Sequence, residues 1–304
     1  MSFLREIIRR PAGAFGFGWI TLVVLSAIVS SFWTPQDPFT ANPLDGWLRP
    51  SAAHLFGTDS IGRDIFSYVF AATRTTVIVA GLSGILASLV GIGLAALGSL
   101  TKRWVRESIA VLIDILIAFP AILIAMLLAA VFGGSLGVVI VAVGVGYGVN
   151  IARVSRGEIR RVRATDYVLA ARAAGVGPGG VLLRHLLPNI APVFVVQLSL
   201  SMATSILAEA GLSYLGYGAP ANTASWGRLL NDLQLYIGVH PGSVVWPGLA
   251  ITLTVLAFNL LGDAIREASD PTLRGRSGSR GRSGSRRRDG ARRRSGMRDQ
   301  GKTP

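Results

Sequence analysis

ATDYVLAARAAGVGPGGVLLRHLLPNI, residues 164–190, is a polar, glycine-broken island between two strongly hydrophobic blocks. It carries Asp166, Arg172, Arg184 and His185. A connection this long, with helical pieces of its own, is unusual between membrane spans and usually carries function. Whether the flanking blocks cross a bilayer decides the fold, and composition answers that question. Hydrophobic residues make up 51% of the 304 and charged ones only 15%, with a mean hydropathy of +0.52. Several runs reach the ~20 apolar residues that a helix needs to cross a membrane. The chain reads as an all-α polytopic membrane protein.

The net charge of +14 invites a nucleic-acid partner, but its distribution argues otherwise. Of the 30 Lys and Arg, 11 fall in residues 275–304, an Arg/Ser/Gly-rich stretch of low complexity that is expected to be a disordered cytoplasmic tail near anionic lipid. No nucleic acid is expected. The absence of Cys rules out disulfides, thiol catalysis and Cys-based metal sites. The 37 glycines permit close approach of membrane helices.

Six spans are expected, at about 15–33, 66–100, 109–132, 138–151, 191–215 and 244–264. The first follows a basic start (Arg5, Arg9, Arg10) with no small-residue cleavage site behind it, so it reads as a signal anchor. Residues 34–65 hold Pro35, Pro38, Pro43 and Pro50 and are too broken for a helix. Placing both termini in the cytoplasm puts 26 cations inside, against Arg49, Arg63, Arg74 and Arg228 outside, as the positive-inside rule requires. The resulting division is 1–66 (N-terminal segment, first span, extracytoplasmic stretch), 67–269 (five-span core with cytoplasmic loop 153–190) and 270–304 (tail).

Within the island, Thr165 is expected to cap a helix with its hydroxyl, and Asp166 to complement the dipole at its start. Helical spacing places Tyr167, Ala170, Ala171 and Ala174 on one face. Gly175 suits a left-handed C-terminal residue, and Gly177-Pro178-Gly179-Gly180 is expected to stop the helix. A face of one aromatic and three minimal side chains holds a core poorly, yet lies flush in another protein's groove. The plainer alternative is an interfacial helix lying along lipid headgroups.

Ala170-Ala171, Gly175 and Leu187-Pro188 together resemble the cytoplasmic signature loop of bacterial ABC-importer permeases. HLFGTDSIGRD (54–64), DILIAFP (114–120), EAGLSYLGYG (209–218), SWG (225–227) and LTVLAFNLLGDAIREASDP (253–271) extend the resemblance to the dipeptide/oligopeptide/nickel branch, on the pattern of its second, DppC/OppC-like permease. The resemblance implies a MetI-like type I architecture and a chain that is not catalytic alone. It also implies a homologous second permease, two ATPase subunits or domains that bind ATP and Mg, an extracytoplasmic binding protein and a peptide substrate. Glutathione and nickel chelates are alternatives within the branch. The coupling residues it implies are Asp166, Tyr167, Ala170, Ala171, Arg172, Ala174 and Gly175. The family's usual Glu ahead of the alanine pair is Leu169 here, which shifts the expected contact from a charge pair to a shape fit. The chain has no phosphate-binding glycine loop with Lys-Ser/Thr and no cofactor of its own is expected.

Gln197, Ser201, Thr204 and Ser205 form a polar stripe at helical spacing, with Met202 beside it. The resemblance makes them, with Glu209, candidates for the translocation path; interhelical hydrogen bonding is the alternative, as it is for Glu209 itself. Asp114 reads as a polar anchor and Asp263 as the inner end of the sixth span. His54, Asp59 and Asp64 match no metal-ligand spacing, and with Gly57, Gly62 and Arg63 they read as a turn locked by Asp–Arg pairing. A self-sufficient channel or secondary transporter would want an inverted repeat, and no clear one is present.

Overall fold

The computed structural model describes residues 5, 7–100 and 103–269. The tail expected at 270–304 lies outside the described residues. The elements are α1 (Pro11–Ser30), α2 (Ile65–Leu100), α3 (Arg103–Ala118), α4 (Ala121–Phe132), α5 (Leu136–Arg163), α6 (Asp166–Ala173), α7 (Pro178–Val181), a π-helical turn (Leu182–Leu186), α8 (Leu187–Tyr214), α9 (Trp226–Gln234) and α10 (Val245–Ser269). The stretch between α1 and α2 has no α-helix, only a 3-10 turn at Pro43–Asp45.

Five helical stretches are long and apolar enough to cross a membrane, and α3 with α4 makes a sixth candidate bent by 77°. Packing settles whether that pair crosses. A methyl built on Gly144 would lie 2.9 Å from Leu86, one on Gly148 2.7 Å from Val90, and one on Gly91 2.6 Å from Ile151. Residue numbers on α2 and α5 therefore rise together, and the two helices run parallel. The chain between them must return to the far side, so α3 and α4 together form a crossing. Gly144 and Gly148 let the α5 backbone close on α2, as small residues do in membrane bundles, while Gly146 between them faces Ala121 of α4.

The other pairs alternate. Val79 of α2 clusters with Ala208 and Leu212 of α8, while Ala95 clusters with Leu186 and Ile190, so α8 runs antiparallel to α2. On α1, Gly13 meets Ala264, Gly16 meets Ala257 and Leu261, and Trp19 Nε1 donates to Thr254 Oγ1 at 3.1 Å, which sets α1 antiparallel to α10. An Arg10–Glu267 ion pair ties the start of the first crossing to the end of the last. Both ends of the bundle therefore lie on one face, which also carries α6.

Three expectations about segment boundaries change. The span expected at 109–132 breaks at Phe119-Pro120: Pro120 has no N–H to give α3, and it disfavours helical backbone at Phe119. The span expected at 138–151 continues to Arg163, because its apolar stripe runs on through Ile151, Ala152, Ile159 and Val162, all buried. The span expected at 191–215 is the end of a helical stretch that begins at Pro178.

On the face opposite α6, residues 31–64 pack against α9 and the loop after it. Arg63 joins them, donating to Asp59 Oδ2 (2.6 Å) and Asp232 Oδ2 (2.9 Å). Trp47 stacks on His240 at 4.0 Å, and Phe56 stacks on Trp246 at 3.8 Å.

Candidate functional site

α6 starts as expected at Asp166, but not with the expected cap. Thr165 Oγ1 donates to Val162 O at 2.6 Å and makes no capping bond. Thr165 thus seals the end of α5 instead. Gly175 takes φ +83°, with Val176 N–H on Ala171 O (3.1 Å) closing the helix. The expected stop at Gly177-Pro178 is in fact a start. Gly175 has already ended α6, and Pro178 opens α7 at a first-turn position, where a missing N–H costs nothing.

Val168 is fully buried, clustered with Ala95 of α2, Ile159 and Val162 of α5, Val181 of α7, and Leu186 and Ile190. One side chain thus seats α6 on the ends of three long helices. Around it Asp166, Ala170, Arg172, Ala173, Ala174 and Gly175 are exposed, as are Tyr167 (46%) and Leu169 (50%). Ala171 lies half-buried on the Val168 side, so the four-residue face expected loses Ala171, and Leu169 and Ala173 join Tyr167, Ala170 and Ala174 on the free surface beside Asp166 and Arg172. The Tyr167 ring sits 6.1 Å from His185 in the π-helical turn. That turn inserts an extra residue per turn between Pro178 and Pro188, where the prolines remove ordinary helical donors.

The candidate path residues on α8 face different ways. Thr204 lines a cavity of ≈ 610 Å³ formed at the α3–α4 bend against α5 and α8, whose other polar groups are Tyr147 and Asn150. Its hydroxyl is used within the helix, on Leu200 O and Ser201 O. Met202 points at α2, where a methyl on Gly84 would meet its Cε at 2.8 Å. Ser201 and Ser205 are buried, Ser205 donating to Ser201 O at 2.7 Å, and Gln197 is half-buried.

Glu209, only 1% exposed, accepts at Oε1 from Ser213 Oγ (2.7 Å) and Ser225 Oγ (2.8 Å). The sequence reading names neither partner; the i, i+4 spacing of Glu209 and Ser213 is a local signal for the first, and the second, 16 residues on, has none. Asp114 of α3 lies 3.5 Å from Arg153 of α5, both exposed, and Asp263 is exposed near the end of α10. His54 Nδ1 lies 3.0 Å from Asp64 Oδ1, and Asp64 Oδ2 accepts Ser67 N–H. Asp59 binds Arg63 through both its oxygens, and Gly57 and Gly62 have positive φ, so the turn is locked by Asp–Arg pairing. Hydrogen bonds and charge from Asp232 and Asp59 outweigh burial and raise the Arg63 pKa above its ordinary value.

Six alternating crossings around a side cavity, with a small exposed helix seated on three of them, define the membrane subunit of a transporter. Residues 61–275 match the family of binding-protein-dependent transport system inner membrane components, and the chain belongs to that family. It is 35% identical over 258 residues to the dipeptide transport system permease protein DppC of Alkalihalophilus pseudofirmus, covering 84% of each chain. It is 36% identical over 277 residues to the glutathione transport system permease protein GsiD of Pectobacterium atrosepticum (90% of this chain, 89% of that one). It is 35% identical over 254 residues to the nickel transport system permease protein NikC of Escherichia coli K12 (84% and 92%). A chain of the inward-facing MetNI methionine ABC transporter has the same fold, with a TM-score of 0.56 at 19% identity over 67% of this chain and 96% of that one. The MetI-like permease architecture expected from the motifs is the one found. The chain is a multi-pass permease subunit of an ABC importer, and ATP hydrolysis belongs to a partner.

Proposed function

We propose that this permease imports di- or oligopeptides, taking ATPase contact at α6 and passing substrate along α8. The observation that supports the coupling role is the seat of Val168: whatever presses on the exposed side of α6 moves the joined ends of α2, α5 and α7–α8 together. The cation distribution supports a cytoplasmic α6 face, and with it cytoplasmic ends of the bundle. The partners are a homologous permease, two ATPase subunits or domains that hold ATP and Mg, and an extracytoplasmic binding protein. ATP-driven closure of the ATPases would tilt the crossings seated on α6 between outward-open and inward-open states.

Ala170→Arg tests the docking surface more cleanly than a change at half-buried Ala171. A cation on a surface shaped for alanine should abolish uptake and substrate-stimulated ATPase activity while leaving insertion intact; normal uptake by this variant would remove α6 from the coupling role. The named substrates of the relatives make glutathione and nickel chelates second readings. Identifying the ligand of the cognate binding protein by mass spectrometry separates the three. Transport by the purified chain alone in liposomes without ATP would favour a secondary transporter instead.

A further inference from the structure

On the face opposite α6, α8 carries a second lever. Glu209 Oε1 receives the hydroxyls of Ser213 and Ser225 at 2.7 and 2.8 Å, and each serine holds something further. Ser213 Oγ accepts the N–H of Ala219 (2.8 Å), fixing the turn that leaves α8. Ser225 Oγ accepts the N–H of Arg228 (3.4 Å) and so caps α9. The carboxylate thus lies at the centre of a relay running from the α8 backbone, through both hydroxyls, into the α9 N-terminus. Contact around it is close: a methyl on Gly227 would lie 2.1 Å from Ala210 O. Thr75 Oγ1 donates to Ala224 O (2.6 Å) and Trp226 Nε1 to Val69 O (2.9 Å), which adds α2 to the same body. Asp232 of α9 then holds the 31–64 stretch through Arg63.

We infer that Glu209 is a positioning residue for transport: its carboxylate makes α9 and α8 move as one body, so that contact on the α9 face is transmitted along α8 to the α6 face. The inference rests on the importer reading for the identity of the two partners, and only on the geometry for the joint itself. A carboxylate suits the task because one oxygen accepts two hydroxyls at once and needs no donor in return. Glutamine keeps that acceptor; alanine leaves two buried hydroxyls unmet.

The test uses the full complex (both permeases, ATPases and binding protein) in lipid nanodiscs. The chain has no Cys, so, assembled with partner subunits stripped of Cys, spin labels at Val195→Cys on α8 and Leu235→Cys after α9 report their separation directly. Glu209→Ala is expected to broaden the distance distribution and to bring the rate stimulated by loaded binding protein down to the basal rate, with the basal rate retained. Glu209→Gln is expected to keep the narrow distribution and the stimulation. Should Glu209→Ala fail to assemble, Ser225→Ala is expected to broaden the distribution and lower the stimulation in its place. A narrow distribution in Glu209→Ala or Ser225→Ala overturns the joint. Broadening with full stimulation overturns the coupling, and a Glu209→Gln variant as defective as Glu209→Ala overturns the acceptor role in favour of charge. If the unmodified complex shows no stimulation at all, the importer reading fails while the distance measurement still decides the joint.

Discussion

Two adjacent residues of α6 do opposite jobs. Val168 is fully buried among the ends of α2, α5 and α7–α8, while Leu169 is half exposed. Val168→Ala removes two methyl groups from that seat, about 1.6 kcal/mol by transfer alone, before any cavity is counted. The expected result is a loosened α6: ATP hydrolysis that persists with less transport per ATP, read as the ratio of uptake to phosphate release. Leu169→Glu leaves the seat untouched and should preserve expression and insertion. It also restores the acid that the family resemblance implies at this position. A shape-fitted surface is expected to lose uptake with that change; equal or better uptake would show that the partner still offers a cation. The helix, its acidic start and its glycine end could be read from the letters, because caps and spacing are local. Val168 as the anchor could not, since nothing local distinguishes it from Leu169.

At the scale of elements, the existence of the crossings was legible and their joints were not. Apolar runs locate helices, but the 77° break between α3 and α4 falls at Pro120, in a stretch whose hydropathy continues unbroken. The break matters because the ≈ 610 Å³ cavity opens at its inner angle. In Pro120→Ala the residue regains an N–H and Phe119 regains access to helical backbone. One added hydrogen bond is worth about 1 kcal/mol, enough to shift a bent–straight balance about fivefold. A single Thr204→Cys reporter in that cavity should then react more slowly with a water-soluble maleimide than in the Pro120 chain. An unchanged rate would mean that packing against α5 holds the bend without proline. The π-helical turn before α8 was hidden for a similar reason. Gly177 to Pro188 reads as a broken loop when each proline is scored as a breaker, yet Pro178 occupies a first turn, where proline is tolerated, and the π-helical turn accommodates the donor that Pro188 lacks.

For the molecule as a whole, an expected sidedness can be written from the chain, because loop charge responds to the membrane and not to tertiary contacts. The assembly of the α9 face could not be counted, because Arg63 and Asp232 meet across 169 residues. That pairing gives the face its unity: Arg63 closes the turn of Asp59 through one nitrogen and reaches α9 through another. Asp59 is almost wholly buried, so removing Arg63 leaves a carboxylate without its counter-ion. Breaking a buried pair from one side costs about 3–5 kcal/mol, and the low end applies here because Asp232 keeps partial access to solvent. Arg63→Met should therefore lower the apparent melting temperature of the detergent-solubilised complex and speed proteolysis within residues 31–64. Asp232→Asn in the Arg63→Met background should recover a minor share, since it neutralises the more exposed carboxylate; Asp59→Asn should recover more. The order of rescue discriminates between accounts. If Asp232→Asn rescues as well as Asp59→Asn, the two carboxylates repel each other and Arg63 serves mainly to screen them; if neither rescues, the loss comes from the guanidinium's packing over Tyr68, 5.3 Å from the ring centre.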